Sequence, residues 1–159
     1  MVTTGTPSVD TVMAVFTAVE QRDDDALARV CQPDVEFCWP PPLPYGGSVR
    51  GLARRGEGWA AYWDGLQPTA DLRRLQPRVI AAAGQEVVVL WQQRGLTPAG
   101  ESLDSEVLGL YRVREGKLAR AQMFHFDPTS VCAFHARASR AVLVRASPAG
   151  EQLRPGCTG

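Results

Sequence analysis

Apolar residues near the start of the chain recur at helical spacing. Those that follow Ser8 lie three and four positions apart, which predicts an amphipathic helix over residues 9–21 with Ser8 as its N-cap. Asp23 offers a second cap, for a short helix that Pro33 stops because its ring cannot continue the turn. Large apolar residues at i, i+4 and i+7 from Trp59 predict a third helix, which ends near Gly65.

Elsewhere the pattern alternates with period two and predicts strands. The first covers residues 34–39, and four β-rich runs follow at 72–82, 86–96, 103–113 and 117–127. Short links with glycine join those four runs, as in sequential antiparallel strands. The segment 40–51 is rich in proline and glycine, which predicts an ordered loop or a pocket rim rather than a strand. Beyond Pro128 a last helix runs to about Val144.

This order of elements predicts an α+β fold in which a curved antiparallel sheet wraps around N-terminal helices and encloses a central pocket. A chain of 159 residues fits one domain, and a domain of that size buries roughly two thirds of its unfolded surface. We place that domain at residues 1–147. Prolines and glycines recur after residue 147, so we expect a disordered tail over 148–159.

Charge and composition narrow the classes of partner. Seventeen basic and seventeen acidic residues give no net formal charge, whereas proteins that bind nucleic acids or anionic membranes need a basic face. Residues 1–7 lack the features of a signal peptide or membrane anchor, so we expect a cytoplasmic protein. The four cysteines form no CxxC pair, and we expect reduced, structural thiols and no metal site. The partner expected is a small hydrophobic molecule or another protein.

Several segments resemble SnoaL-like proteins of the nuclear transport factor 2-like superfamily. Residues 43–51 (LPYGGSVRG) are similar to the segment before that family's third helix, and residues 111–118 (YRVREGKL) to the turn between its last two strands. Residues 86–90 with the glycines that follow resemble its central hairpin, and Phe126-Asp127 its closing aromatic-Asp pair, although Pro128 then departs from the family pattern. The resemblance covers about residues 9–138. It implies the family's cone-shaped α+β fold and a homodimer formed through the open face of the sheet.

The last predicted strand carries the first candidate pair for acid/base chemistry. Because alternate side chains share a face, His125 and Asp127 would lie together beyond Met123, at the edge of an apolar pocket. An apolar setting raises the pKa of a carboxyl group, as a base that abstracts a proton next to a carbonyl requires. The alternative is that Asp127 caps the final helix and that His125 belongs to the core or the rim.

Three further carboxylates are candidates. Glu106 shares a strand face with Leu108 and Leu110, so it is either paired and functional or at the open end of its strand in water. Glu36 and Asp64 correspond to the elements that carry the acid and base in relatives resembling epoxide-opening cyclases. Glu36, however, is in antiphase with its apolar neighbours, so it and they cannot both face the pocket.

A set of aromatic and polar side chains is predicted to bind a ligand or to form the core. These candidates are Trp39, Tyr45, Trp63, Trp91, Gln93, Tyr111 and Met123. Tyr45 could donate a hydrogen bond to a carbonyl oxygen, and Gln93 could reach the pocket or lie at an exposed edge.

Three functions follow as hypotheses. The first is a cofactor-independent enzyme of polyketide-like metabolism, which uses Asp127 and His125 to cyclise, isomerise or dehydrate a hydrophobic carbonyl compound. The second is an epoxide hydrolase or epoxide-opening cyclase that uses Glu36 and Asp64. The third is a domain that only binds a ligand or a partner, with its polar residues serving the fold.

Overall fold

The computed structural model describes residues 6–53 and 56–146. Five helices and six strands follow the order α1 (Pro7–Gln21), α2 (Asp24–Val30), β1 (Cys31–Trp39), β2 (Gly47–Arg50), α3 (Gly58–Asp64), α4 (Ala70–Arg73), β3 (Arg78–Ala83), β4 (Glu86–Leu96), β5 (Ser102–Arg114), β6 (Lys117–His125) and α5 (Pro128–Ala146). The strands form one sheet in the order β2-β1-β6-β5-β4-β3. All neighbours are antiparallel except β1 and β6, which are parallel. The predicted α+β cone is confirmed.

The helices at the N-terminus begin close to their predicted positions. Asp23 caps α2 as predicted, because its Oδ1 accepts from the Ala26 amide at 2.8 Å. For α1 the predicted N-cap was wrong by two residues. Thr6 is the N-cap, and the Ser8 hydroxyl instead donates to the Gly84 carbonyl oxygen at 3.0 Å. That bond attaches the first turn of α1 to the β3–β4 turn.

Two short elements were not predicted. Strand β2 lies inside the proline-rich segment and pairs with β1, because its four residues follow the last proline and are free to donate. Helix α4 occupies the start of the predicted 72–82 strand, so β3 begins only at Arg78. Pro33 does not end a helix either, since α2 has already ended at Val30 and Pro33 lies within β1, where the register with β6 is irregular.

The register of β6 corrects the predicted face of that strand. Pairing with β5 shifts between Arg112 and Val113, whose partners are Arg120 and Leu118, so Ala119 is an extra residue. Leu118 is therefore buried at the start of β6, and Ala121, Met123 and His125 are buried after it. The strand ends at His125 and does not include Asp127.

The core lies between the inner face of the sheet and the helices. Helix α1 packs its buried stripe across the sheet, and α5 covers one end of it through Val131 and Phe134, both fully buried. Gly95 permits this contact, because a Cβ there would lie 2.9 Å from the Phe134 ring and 3.2 Å from Trp63. The helices thus cover the concave face. The predicted tail at 148–159 lies outside the described residues.

Candidate functional site

An inner cavity of about 80 Å³ lies between α1 and the concave face of the sheet. All four tryptophans of the chain line it, Trp39 from β1, Trp59 and Trp63 from α3, and Trp91 from β4. Phe16, Phe37 and Met123 complete an apolar wall. The alternation of β1 and the helical spacing of α1 and α3 bring these large side chains to one place. The arrangement suits an apolar or aromatic molecule.

Polar groups in the cavity wall are mainly hydrogen-bond donors. Trp91 is buried, and its Nε1 atom has no hydrogen-bond partner among the described residues. The Trp91 Nε1 atom approaches the Tyr111 hydroxyl without completing a hydrogen bond. Burial raises the pKa of Tyr111 above its usual range, so the phenol keeps its proton. Gln93 is buried on the same face of β4 as Trp91. A buried donor without a partner is costly, and a ligand oxygen would satisfy it.

The position of Tyr111 depends on a glycine. Its ring lies directly over Gly109, two residues earlier on β5, so closely that any side chain at Gly109 would overlap the ring and the hydroxyl. Phe16 holds the other side edge-on, with ring centroids 5.5 Å apart. The phenol is therefore fixed inside the cavity wall.

An outer compartment of about 90 Å³ adjoins the inner cavity and shares five lining residues with it, namely Val19, Phe37, Trp59, Trp63 and Gln67. Its own charged residues are Arg22, Asp24, Glu57 and Asp64. The Arg22 guanidinium lies 3.8 Å from an Asp64 carboxylate oxygen and also donates to the Asp64 carbonyl at 3.2 Å. The site thus combines an apolar cavity with an adjoining compartment that carries charged residues.

The expected pair of His125 and Asp127 is wrong. Asp127 is exposed and caps α5, where Oδ1 accepts from the Ser130 amide at 3.0 Å and Oδ2 from the Ser130 hydroxyl. These bonds lower the pKa of Asp127, whereas a base in an apolar pocket needs a raised one. His125 is buried, and both of its ring nitrogens lack a partner among the described residues. Burial lowers its pKa to about 4, so the ring is neutral.

The other carboxylates are not brought together either. Glu106 is exposed on the outer face of β5, because the buried face carries Val107 and Tyr111, and it accepts a weak 3.4 Å bond from Gln92. Glu36 also lies on the outer face, 3.4 Å from Arg120, while its neighbour Phe37 lines the cavity. Only Asp64 reaches the site, in the outer compartment. The predicted Glu36 and Asp64 pair is therefore wrong.

Most of the predicted binding residues do line the inner cavity: Trp39, Trp63, Trp91, Gln93, Tyr111 and Met123. Tyr45 instead packs behind it, edge-on to Trp39 and Trp63, and burial raises its pKa above the usual range. His135 of α5 belongs to the same aromatic cluster, with its ring 4.5 Å from that of Trp63. These two residues support the wall of the site.

Sequence reasoning missed Gln67 and Arg73. Gln67 is buried after α3 and links the two compartments, and its amide donates to the Arg94 carbonyl at 2.7 Å. Arg73 lines the inner cavity from the end of α4. Both lie in a segment without a clear hydrophobic period. The only signal in the sequence was a glutamine followed by cationic residues.

Membrane spans and metal clusters are two further features that the described part of the chain could carry. Among the helices in residues 6–53 and 56–146, none is long and apolar enough to cross a membrane. Over the same residues, no three of the His, Cys, Asp and Glu side chains cluster where they could hold a metal ion. Cys31, Cys38 and Cys132 are free thiols, and the first two are buried.

Comparison with known proteins identifies the family. The model of the SnoaL-like domain matches residues 12–121. Among solved structures, TerC co-crystallised with polyporic acid is 24% identical with a TM-score of 0.65, over 84% of this chain and 99% of that one. A putative SnoaL-like polyketide cyclase from Jannaschia sp. CCS1 is 18% identical with a TM-score of 0.60, over 84% and 92%.

An NTF2-like protein from Burkholderia xenovorans LB400 is 21% identical with a TM-score of 0.61, over 83% of this chain and 95% of that one. No curated protein is similar enough to count as a match. At these identities the solved structures establish the fold alone, and it is the NTF2-like cone. Since the family model covers more than half of the chain, the protein belongs to the SnoaL-like domain family.

Proposed function

We propose that this protein is a cofactor-independent enzyme that binds a small, apolar carbonyl compound in the inner cavity and converts it through an enolate. The observation that carries the proposal is a cavity lined by four tryptophans, in which the buried donor Trp91 Nε1 has no hydrogen-bond partner among the described residues. An apolar ligand with one acceptor oxygen would complete this wall. Cyclisation, isomerisation and dehydration all proceed from such an intermediate, and the family includes cyclases.

The donors would act on the carbonyl oxygen. When a base removes a proton from the adjacent carbon, the C–H electron pair forms a C=C bond and the oxygen takes the negative charge. The Trp91 N–H and the Tyr111 hydroxyl are in place before that charge forms, and in an apolar cavity such donors stabilise it strongly. Removing one donor of this kind costs about 10²–10³-fold in rate where it is fully engaged.

Asp64 is the carboxylate that supports the role of base. No Asp, Glu or His occurs among the described residues that line the inner cavity, whereas Asp64 lies in the adjoining compartment at the end of α3. Trp63, the residue before it, forms part of the wall between the compartments. The Arg22 guanidinium lies 3.8 Å from this carboxylate and also donates to the Asp64 carbonyl, so Asp64 is held beside the cavity.

The test is hydrogen–deuterium exchange next to the carbonyl of 4-phenyl-2-butanone in D₂O, followed by ¹H NMR. Exchange reports the first step of all three reactions and needs no knowledge of the product. We expect wild type to accelerate exchange, Tyr111→Phe, Trp91→Phe and Asp64→Asn to lose most of that acceleration, and Asp127→Asn to retain it. Retained exchange in Asp64→Asn would exclude Asp64 as the base.

The binding-only function is the second candidate, and the absence of a carboxylate from the described lining of the inner cavity favours it. Because all four tryptophans line the cavity, intrinsic fluorescence measures binding directly. A protein that binds 4-phenyl-2-butanone but leaves its exchange rate at the buffer level would be a binding domain, and the enzymatic proposal would be wrong.

We also propose that the outer face of the sheet pairs with a second copy of the chain. Leu90, Leu108 and Phe124 form a row across three adjacent strands, and 45% of the Phe124 surface is exposed. A self-complementary apolar row suits a two-fold dimer. Light scattering should give a dimer for wild type and a monomer for Phe124→Glu. Phe126→Glu, which changes an exposed aromatic residue outside the strand, should remain dimeric.

A further inference from the structure

Two arginines converge on one buried carbonyl group where the two compartments meet. The Gln67 carbonyl oxygen accepts from the Arg22 guanidinium at 3.2 Å and from the Arg73 guanidinium at 3.3 Å. Arg22 comes from the end of α1 and Arg73 from the end of α4, so residues 51 positions apart in sequence place two cations beside one atom. One carbonyl oxygen cannot neutralise two positive charges.

Only one of the two arginines forms an ion pair with a described side chain. Asp64 lies 3.8 Å from Arg22, but Arg73 has no ion pair among the described side chains. Glu20, on the adjacent helix α1, is occupied with the Leu75 amide at 2.7 Å. Asp24 and Glu57 line the outer compartment, and neither forms an ion pair with a described residue. Arg73 is therefore a cation at the wall of the apolar cavity, where the described lining residues include no Asp or Glu.

The backbone at the end of α1 sets the position from which the Arg22 side chain extends. Arg22 ends α1 in the left-handed conformation, with φ 54° and ψ 39°, and its amide bonds the carbonyls of the last turn. Left-handed conformations favour glycine or asparagine. An arginine at this position therefore indicates a role for its side chain. The Arg22 side chain is 22% exposed, and a cation so shielded from water interacts more strongly with an anion than a surface cation does.

We propose that Arg22 and Arg73 bind a carboxylate at one end of the ligand, while its apolar body occupies the inner cavity. This inference rests on the proposed function, because it assumes that the inner cavity holds the apolar part. Guanidinium groups match carboxylates through paired N–H bonds, and both arginines retain free donors beyond the Gln67 carbonyl. The substrate class is then an aromatic or aliphatic keto acid rather than a neutral ketone.

The test compares two probes of nearly the same shape, 3-phenylpropanoate and 4-phenyl-2-butanone, which differ in the charge at one end. Binding is followed by tryptophan fluorescence in wild type, Arg73→Gln and Arg22→Gln. Arg74→Gln is the matched control, because Arg74 is the next residue, is 67% exposed and pairs with Asp71 on the surface. Binding of the neutral ketone also shows that each variant is folded.

We expect wild type to prefer the carboxylate, and Arg73→Gln to weaken carboxylate binding about 10-fold while ketone binding stays unchanged. Arg22→Gln should act in the same direction, and Arg74→Gln should change neither probe. Added NaCl should weaken only the carboxylate. Equal binding of both probes, or carboxylate binding that survives Arg73→Gln, would overturn the carboxylate site and leave the apolar cavity standing. If neither probe bound wild type, both proposals would be wrong.

Discussion

Gly109→Ala tests whether the structure places the Tyr111 phenol correctly. The new methyl group would overlap the Tyr111 ring, which is only 4% exposed and is held by Phe16 on its other side. The ring must leave its position, and overpacking of this kind costs about 1–3 kcal/mol. Part of that cost is offset, because replacing glycine in a strand gains about 0.5–1 kcal/mol. The net loss of about 0–2.5 kcal/mol lowers the Tm by up to about 10 °C for a domain of this size.

The assay combines thermal unfolding with binding of 4-phenyl-2-butanone. Because the phenol is displaced, Gly109→Ala should weaken ketone binding as much as Tyr111→Phe does. Gly65→Ala is the control, since Gly65 has φ −80° and no atom within 4 Å of the added methyl group. That variant should match wild type in both measurements. If Gly109→Ala kept the wild-type Tm and affinity, the Tyr111 ring would not lie over Gly109 and would not belong to the cavity wall.

Three other predictions concern residues outside the donor set. Asp127→Ala should lower the Tm through loss of the α5 cap, whereas Asp127→Asn should retain it, as differential scanning calorimetry would show. Burial lowers the pKa of His125 and His135 to about 4, so the unfolded chain binds more protons between about pH 6.5 and 4. Stability to urea should therefore fall as the pH falls through that window, and His135→Gln should flatten the fall; an unchanged slope would refute it. Gly95→Ala should destabilise the fold by about 1–3 kcal/mol through contact with Phe134 of the α5 core and with Trp63.

The long sheet could be predicted because its alternation is strong. Strand β4 runs over Glu86–Leu96 as predicted, and its alternate residues Trp91 and Gln93 are buried on one face. Burial fixes the register of such a strand, since a slip of one residue would expose the whole apolar set. The inward position of Trp91 on β4 therefore followed from the sequence.

The candidate acid/base residues could not be predicted with the same success. An aspartate three residues before a serine at a helix start is equally a cap and a catalytic carboxylate, and only the Ser130 bonds decide for the cap. Glu106 was assigned to a buried face because Leu108 and Leu110 share it, yet that face is the outer one. Alternation shows that two faces differ, but it does not show which of them encloses the cavity.

The charged residues of the outer compartment are brought together by contacts between elements that are far apart in sequence. No local pattern of residues predicts such contacts. Arg22 and Arg73 meet at a backbone carbonyl, and a backbone atom leaves no trace in the residue types. The same limit explains why the sequence favours Asp127 as the base, whereas we propose Asp64. Only the packing of α1, α3 and α4 shows that positive charge and a carboxylate adjoin an apolar interior rich in donors. In this fold the sheet supplies the cavity, and the ends of three helices supply the charged groups on which the proposed enzymatic function depends.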